Sequence, residues 1–391
     1  MPTCYLDISR LMSRACRGRL ATGVDRVCLA YMERWRTDAH AVLMRKQWRR
    51  ILDAHSSQAL FKLLLEPPTG DDLRRSLNWE VLKACVPPWP SQHAHGKWAF
   101  YLGHWGLEFP AFAEWVQTTC QKPIFFIHDL IPLTHPEYCR PGESDCHAVR
   151  MRVALTTGAG LLLNSRHTLD QLKAWADQQA LPMPPAAVAP LAAAPLINSM
   201  EAKGLSDAPL RAPYFVMLGT IEPRKNHLLL LELWRDLVIS MGGMAPQLVV
   251  IGQRGWECEN VVDMLERCTW LKEHVHEVSS CTDAELARYL RHAKALLFPT
   301  FSEGYGMPLA EALTAGTPVI ASDLPVFKEF AGNVPEWLSP VDGLGWKQAI
   351  LDYTEYSHPR RLAQLARLKD WQAPTWGDHF EAVDDLLERL A

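Results

Sequence analysis

Two glutamates, Glu303 and Glu311, stand with seven residues between them in FPTFSEGYGMPLAE (298–311), and two adjacent cations, Arg224 and Lys225, stand in LGTIEPRKN (218–226). A histidine, His128, ends the apolar run of PIFFIHD (123–129). Cations just ahead of a helix suit a diphosphate, which the helix end itself also attracts. Carboxylates are the natural acceptors for a ribose diol or a sugar hydroxyl. The bent path between Glu303 and Glu311 argues against a shared proton, so each glutamate is expected to hold one end of a single ligand. Pro308 in a first helical turn needs no donor of its own, which leaves the N–H groups of Gly304, Tyr305, Gly306 and Met307 to point at that ligand. Gly219 permits close backbone approach beside the cations, and Gly23 in TGVDRV (22–27) opens another phosphate-compatible helix. Bland readings stand beside these: an exposed basic turn at Arg224 and Lys225 with Asn226 capping the next helix, a solvated Glu311, and a structural His128.

The elements that must position these residues alternate short apolar runs with longer amphipathic stretches, the pattern of parallel sheets covered by helices on both faces. CYLDIS (4–9), WAFYLGH (98–104), PIFFIHD and AGLLLNS (159–165) read as strands, with a helix over 22–35 and a basic loop between the first strand and that helix. The prolines of LPMPPAAVAPLAAAPLIN (181–198) forbid one long helix there, so a short strand is expected near 186–190 and a linker at about 191–212. The pattern then restarts with strands at 214–220, 247–252, 276–280, 295–300 and 318–322, and with helices after Asn226 and from Asp283. A chain of 391 residues exceeds what one core usually supports. The expectation is an α/β protein of two doubly wound Rossmann-like domains, 1–200 and 201–391, facing a central cleft, where ligands bind beyond the carboxyl ends of the strands.

Composition narrows the partners. The chain is 48% apolar with a net charge of −4, which excludes disorder and argues against nucleic acid as a partner. Ten scattered cysteines with no CxxC pair read as reduced thiols of a cytoplasmic protein. No apolar stretch reaches the ~20 residues of a spanning helix, so membrane contact would be peripheral. The first fifty residues carry eleven Lys/Arg against four acids, a solvated basic face or a surface for an anionic partner such as phospholipid. There is no Asp-x-Asp to hold a divalent ion on a nucleotide sugar and no GxGxxG after a strand; no metal or other cofactor is expected.

Taken in combination, HDLIPL in the first half, GTIEPRKN, the Glu-x7-Glu segment EGYGMPLAE and PVIASDLPVFKE resemble the GT-B-fold retaining glycosyltransferases of family 4, the group 1 glycosyltransferases. DISRLMSR, TGVDRVCLAY and GQRGWE (252–257) look like a bacterial subgroup that builds O-antigens, capsules or exopolysaccharides, often by mannosyl transfer from GDP-mannose. The resemblance implies that Arg224 and Lys225 neutralise the leaving nucleoside diphosphate, that Glu303 and the amides of Gly304 to Met307 meet the donor sugar and phosphate, and that Glu311 binds the ribose. It further implies that Gly23 lies at the diphosphate and His128 close to the reacting sugar; His104 and Trp105 receive no role. The implied partners are a GDP- or UDP-sugar donor, a lipid-linked glycan acceptor and the inner face of an anionic membrane. A nucleotide-sugar epimerase of the same fold and an inactive scaffold of a polysaccharide assembly complex remain the rival readings.

Overall fold

The computed structural model describes residues 3–19, 21–46, 48–68, 72–84, 94, 96–193 and 207–391. By their contacts these divide into two units, one of 1–133, 141–191 and 376–391 and the other of 134–140 and 192–375.

The first unit is built on β1 (Cys4–Asp7), β2 (Ala39–Arg45), β3 (Trp48–Ile51), β4 (Trp98–Tyr101), β5 (Lys122–Ile127), β6 (Gly160–Leu163) and β7 (Ala186–Val188), in the order β3-β2-β1-β4-β5-β6-β7. All neighbours are parallel except β2 and β3, which pair antiparallel. The central strands are buried throughout, as expected for a sheet covered on both faces. The second unit has β8 (Tyr214–Leu218), β9 (Gln247–Ile251), β10 (Val275–Val278), β11 (Leu296–Phe298), β12 (Val319–Ser322) and β13 (Glu336–Leu338), ordered β10-β9-β8-β11-β12-β13 and parallel throughout. This is the doubly wound Rossmann order, and its direction of winding reverses between β8 and β11.

Several expectations need correction. The basic loop after β1 is largely a helix, Ser9–Ala15. Asp7 accepts from the Ser9 amide at 3.0 Å, which starts the turn, while Leu11 and Met12 are buried beneath it. The antiparallel β3 and the helices Ala54–Leu65 and Asp72–Ala84 occupy a stretch to which the sequence reading assigned nothing. The expected linker at 191–212 falls largely outside the described residues. The division into 1–200 and 201–391 also fails at the C-terminus: the helix Trp376–Leu390 belongs to the first unit. Its apolar stripe of Phe380, Val383 and Leu386 is buried there. His379 is held between the Pro190 carbonyl at 3.0 Å and the Tyr31 hydroxyl at 3.1 Å. Among the described residues no helix is long and apolar enough to cross a membrane. Of the basic residues in the first fifty, Arg10, Arg14, Arg34 and Arg36 are engaged in ion pairs within the chain.

Candidate active site

In a doubly wound sheet, ligands lie outside the carboxyl ends of the strands where the winding reverses. In the second unit that point is flanked by the segments after β8 and β11, which carry Arg224–Lys225 and Glu303. Backbone and side-chain bonds tie these two segments together. The Phe301 amide donates to the Arg224 carbonyl at 2.9 Å, and Arg224 Nη1 donates to the Ser302 carbonyl at 2.6 Å. Asn226, expected to cap the following helix His227–Met241, does not cap it. It adopts a left-handed conformation (φ 60°), and its Nδ2 donates to the carbonyls of Pro299 at 3.1 Å and Pro340 at 2.9 Å. Asn tolerates this backbone region better than other non-glycine residues. Gly219 also has a positive φ, 143°, and its open face abuts the Lys225 side chain.

The charged groups converge in a network. Glu303 Oε1 is 2.8 Å from Arg224 Nη1 and is also paired with Lys225 Nζ. Glu222, which the sequence reading passed over, binds Arg224 Nη2 at 2.6 Å, and Thr300 Oγ1 lies 3.1 Å from Glu303 Oε1. Burial works against the charge on Glu303, but Arg224 and Lys225 outweigh it and hold the carboxyl below its ordinary value. Burial pulls the Lys225 amine below its usual range, with Arg224 adding to the effect and Glu303 opposing it. Two cations and two carboxylates leave the cluster neutral overall. An incoming phosphate therefore competes with Glu303 for Arg224 and Lys225, and a Glu303 released from them becomes an acceptor for hydroxyls. The exposed-turn reading fails, since Lys225 is 7% exposed and Arg224 is paired at both ends of its guanidinium.

Beyond Glu303 the chain turns into the helix Met307–Thr314. Gly306 at its start has φ 104°, and a Cβ there would meet the Phe327 ring at 2.5 Å. This glycine therefore has a packing reason that the sequence did not display. Tyr305 is buried with its ring stacked on Phe330, centroids 4.8 Å apart, which leaves the backbone as the part of it suited to a ligand. Glu311 is 5% exposed, contrary to a solvated helix residue. Gly304 and Met307 fall between Glu303 and Glu311 in the sequence, Met307 as the first residue of the helix.

The remaining candidates are in the first unit. Gly23 opens the helix Gly23–Arg34. The preceding Thr22 and the buried Asp25 form a capping box, in which the Thr22 amide and hydroxyl both donate to Asp25 Oδ2 at 2.7 Å. Arg10 and Arg14 approach the same carboxylate at 3.3 and 2.8 Å. His128 lies one residue past β5, is 6% exposed, and donates from Nε2 to the Leu102 carbonyl at 2.8 Å. Burial first of all lowers its pKa, to about 4, so the ring is neutral at physiological pH. Against it stand His104 and Asn164, neither given a role from sequence. Among the described residues no group of His, Cys, Asp and Glu could hold a metal ion.

Residues 201–335 match the family model described as glycosyl transferases group 1. The chain is 28% identical over 255 residues to the serotype-specific mannosyltransferase WbdA of Escherichia coli, a match covering 60% of this chain and 31% of that protein. It is 31% identical over 166 residues to O-antigen chain mannosyltransferase B of Escherichia coli, covering 42% of each. The chain thus spans about a third of the length of the first of these relatives and less than half of the second. In fold it is similar to Anabaena HepE, solved in complex with UDP and glucose, with TM-score 0.67 at 12% identity over 100% of both chains. At that identity the likeness speaks for the fold, which is GT-B.

Proposed function

From the premise that residues 201–335 place the chain among the group 1 glycosyltransferases, on a GT-B fold, we propose that it moves a mannosyl residue from GDP-mannose to a lipid-linked or polysaccharide acceptor with retention of configuration. The observation that carries the reading is the buried Arg224–Lys225–Glu303 network at the winding reversal of the second sheet.

Breaking an anomeric bond builds negative charge on the departing diphosphate and positive charge on the sugar ring. Arg224 and Lys225, fixed before the donor arrives, stabilise the first charge without reorganisation at the moment of reaction. Glu303 accepts hydrogen bonds from hydroxyls of the sugar, and the amides of Gly304 to Met307 meet sugar and phosphate. Glu311 accepts from the ribose. Gly23 contributes a helix start to the diphosphate, and His128 completes the catalytic set. The step needs no metal ion. The mannosyl donor is supported by the names of the two relatives from Escherichia coli, both mannosyltransferases. Their names also support a polysaccharide acceptor for one, an O-antigen chain. The protein works on the cytoplasmic side, in peripheral contact with an anionic membrane.

A thermal-shift screen against GDP-, UDP-, ADP- and dTDP-sugars tests the donor assignment, with GDP-mannose expected to raise the melting temperature most. Stabilisation by a UDP-sugar alone would replace the base and keep the site. No stabilisation by any of them, together with unchanged melting of Arg224→Ala in their presence, would point to the inactive scaffold instead. Formation of a rearranged nucleotide sugar without any acceptor would support the epimerase.

A further inference from the structure

His128 stands where the sheet can no longer satisfy its backbone. The ladders of β5 end at Phe125 with β4 and at Ile127 with β6. His128 is buried and Asp129 half-buried, so their peptide groups must find partners among side chains. Each of them does. The His128 N–H donates to His104 Nε2 at 3.2 Å, the His128 carbonyl accepts from Asn164 Nδ2 at 2.8 Å, and the Asp129 carbonyl accepts from His147 Nε2 at 3.2 Å. These side chains come from three directions: the segment after β4, the residue after β6 and the helix Glu143–Thr157. His147 and Asn164 are 2% and 3% exposed, so water does not compete for these bonds.

Donor and acceptor roles follow without ambiguity. A carbonyl only accepts, so the Leu102 carbonyl requires a proton on His128 Nε2, and Nδ1 is the ring nitrogen left to accept. The His128 N–H only donates, so His104 Nε2 must be unprotonated and the His104 proton sits on Nδ1. Burial, then His147, His128, Arg150 and Arg10 all disfavour a charged His104, which keeps this acceptor available. Asn164 cannot be turned over, since its oxygen would then face the His128 carbonyl. Among the described residues its Oδ1 has no hydrogen-bond partner, and donation from its Nδ2 to the His128 carbonyl is the bond that this side chain makes there.

We propose that His104, Asn164 and His147 are positioning residues, which clamp the His128–Asp129 backbone from three sides and thereby hold the His128 ring, its tautomer set by the Leu102 carbonyl, in the placement that transfer requires. The inference rests on the reading of His128 as part of the catalytic set. It gives His104 of the GHWGL segment, and the Asn of LLLNS, a role that neither motif displayed.

The test measures release of GDP from GDP-mannose, with the donor KM, for His128→Ala, His104→Ala, His104→Gln and Asn164→Leu. A glutamine at 104 can accept from the His128 N–H through its amide oxygen, whereas leucine at 164 fills the asparagine's space without a donor. Expected are a fall in kcat of about tenfold or more for His128→Ala, His104→Ala and Asn164→Leu, a donor KM within about threefold of wild type, and recovery to within about threefold in His104→Gln. Faster hydrogen exchange in the peptide containing His128 is expected for His104→Ala and Asn164→Leu but not for His104→Gln, and this readout holds whatever the activity. Unchanged kcat and exchange in both truncations, with His128→Ala impaired, would overturn the clamp and leave the reading of His128 standing. Wild-type turnover of His128→Ala would overturn that reading, and with it the catalytic purpose of the clamp.

Discussion

Replacing Glu303 by glutamine should make the protein less stable and its grip on nucleotide tighter at the same time. Glu303 is ion-paired to both Arg224 and Lys225, with side-chain exposures of 10%, 15% and 9% respectively. Glutamine keeps the size and an acceptor oxygen but removes the charge, leaving two buried cations with Glu222 as their remaining carboxylate in the cluster. Breaking a buried pair by removing one partner costs about 3–5 kcal/mol. The retained acceptor reduces this to roughly 2–3 kcal/mol, on the scale of one hydrogen bond to a charged group. For a unit of this size that is a fall in melting temperature of about 4–10 °C. A bound diphosphate supplies the missing negative charge and no longer competes with a carboxylate, so GDP should bind about tenfold more tightly, a gain of about 1.4 kcal/mol. Turnover should nevertheless fall by at least about tenfold, because the acceptor for the sugar hydroxyls is weakened. Calorimetric titration of GDP and melting of the free protein measure both effects. The sign with pH is fixed. The folded value of Glu303 lies below its ordinary 4.5, so its contribution is present above 4.5 and disappears as pH falls through the folded value. The difference between variant and wild type should therefore hold steady from pH 8 to 5. Equal or weaker GDP affinity in Glu303→Gln would refute the competition on which this reasoning depends.

Gly306→Ala should lower stability by about 2 kcal/mol or more, since the new methyl meets the Phe327 ring and the backbone has φ 104°; a melting temperature within a degree of wild type would contradict this. Acidification should destabilise the protein through its buried histidines: burial lowers His227 to about 3 and His128 and His379 to about 4. Between those values and 6.5 the unfolded chain binds protons that the folded chain refuses, and each group then costs about 1 kcal/mol between pH 6.5 and 5.5. Melting of wild type and His227→Gln at pH 7.5 and 5.5 checks this, with the variant expected to lose less on acidification; identical losses would remove His227 from the account. Arg224→Ala should lower turnover by at least about tenfold, near 1.4 kcal/mol of transition-state stabilisation, and undiminished turnover would remove Arg224 from the site.

Much of the second unit was legible because its signals are local. Short apolar runs such as QLVVI and ALLF, rich in branched residues, read as buried strands, and the cations and carboxylates follow the strand ends directly. What pairs with what was not legible. Glu222 looked like a spacer beside Pro223, and its bond to Arg224 exists because the short turn at Pro223–Lys225 folds the guanidinium back. Asn226 has the composition of a cap but serves as a staple, since the carbonyls of Pro299 and Pro340 come from distant segments. Gly306 is explained by Phe327, twenty-one residues on, and no periodicity signals a clash avoided. In the first unit, β3 escaped notice because WRRI mixes cations into the strand at the sheet's edge. The residues around His128 were hidden for the same reason as Glu222. His104, Asn164 and His147 lie up to 60 positions apart in the sequence and meet only through strand order.

The central claim is that this chain transfers mannose from GDP-mannose through the Arg224, Lys225 and Glu303 network. Its most direct test is incorporation of label from GDP-[14C]mannose into lipid-extractable or polymeric glycan, in membranes supplied with wild-type protein, Arg224→Ala or Glu303→Ala. The account predicts label in the glycan fraction with wild type, and at least about tenfold less with either variant at equal protein concentration. Equal incorporation by the variants would contradict the site, and label from another nucleotide sugar but none from GDP-mannose would contradict the donor.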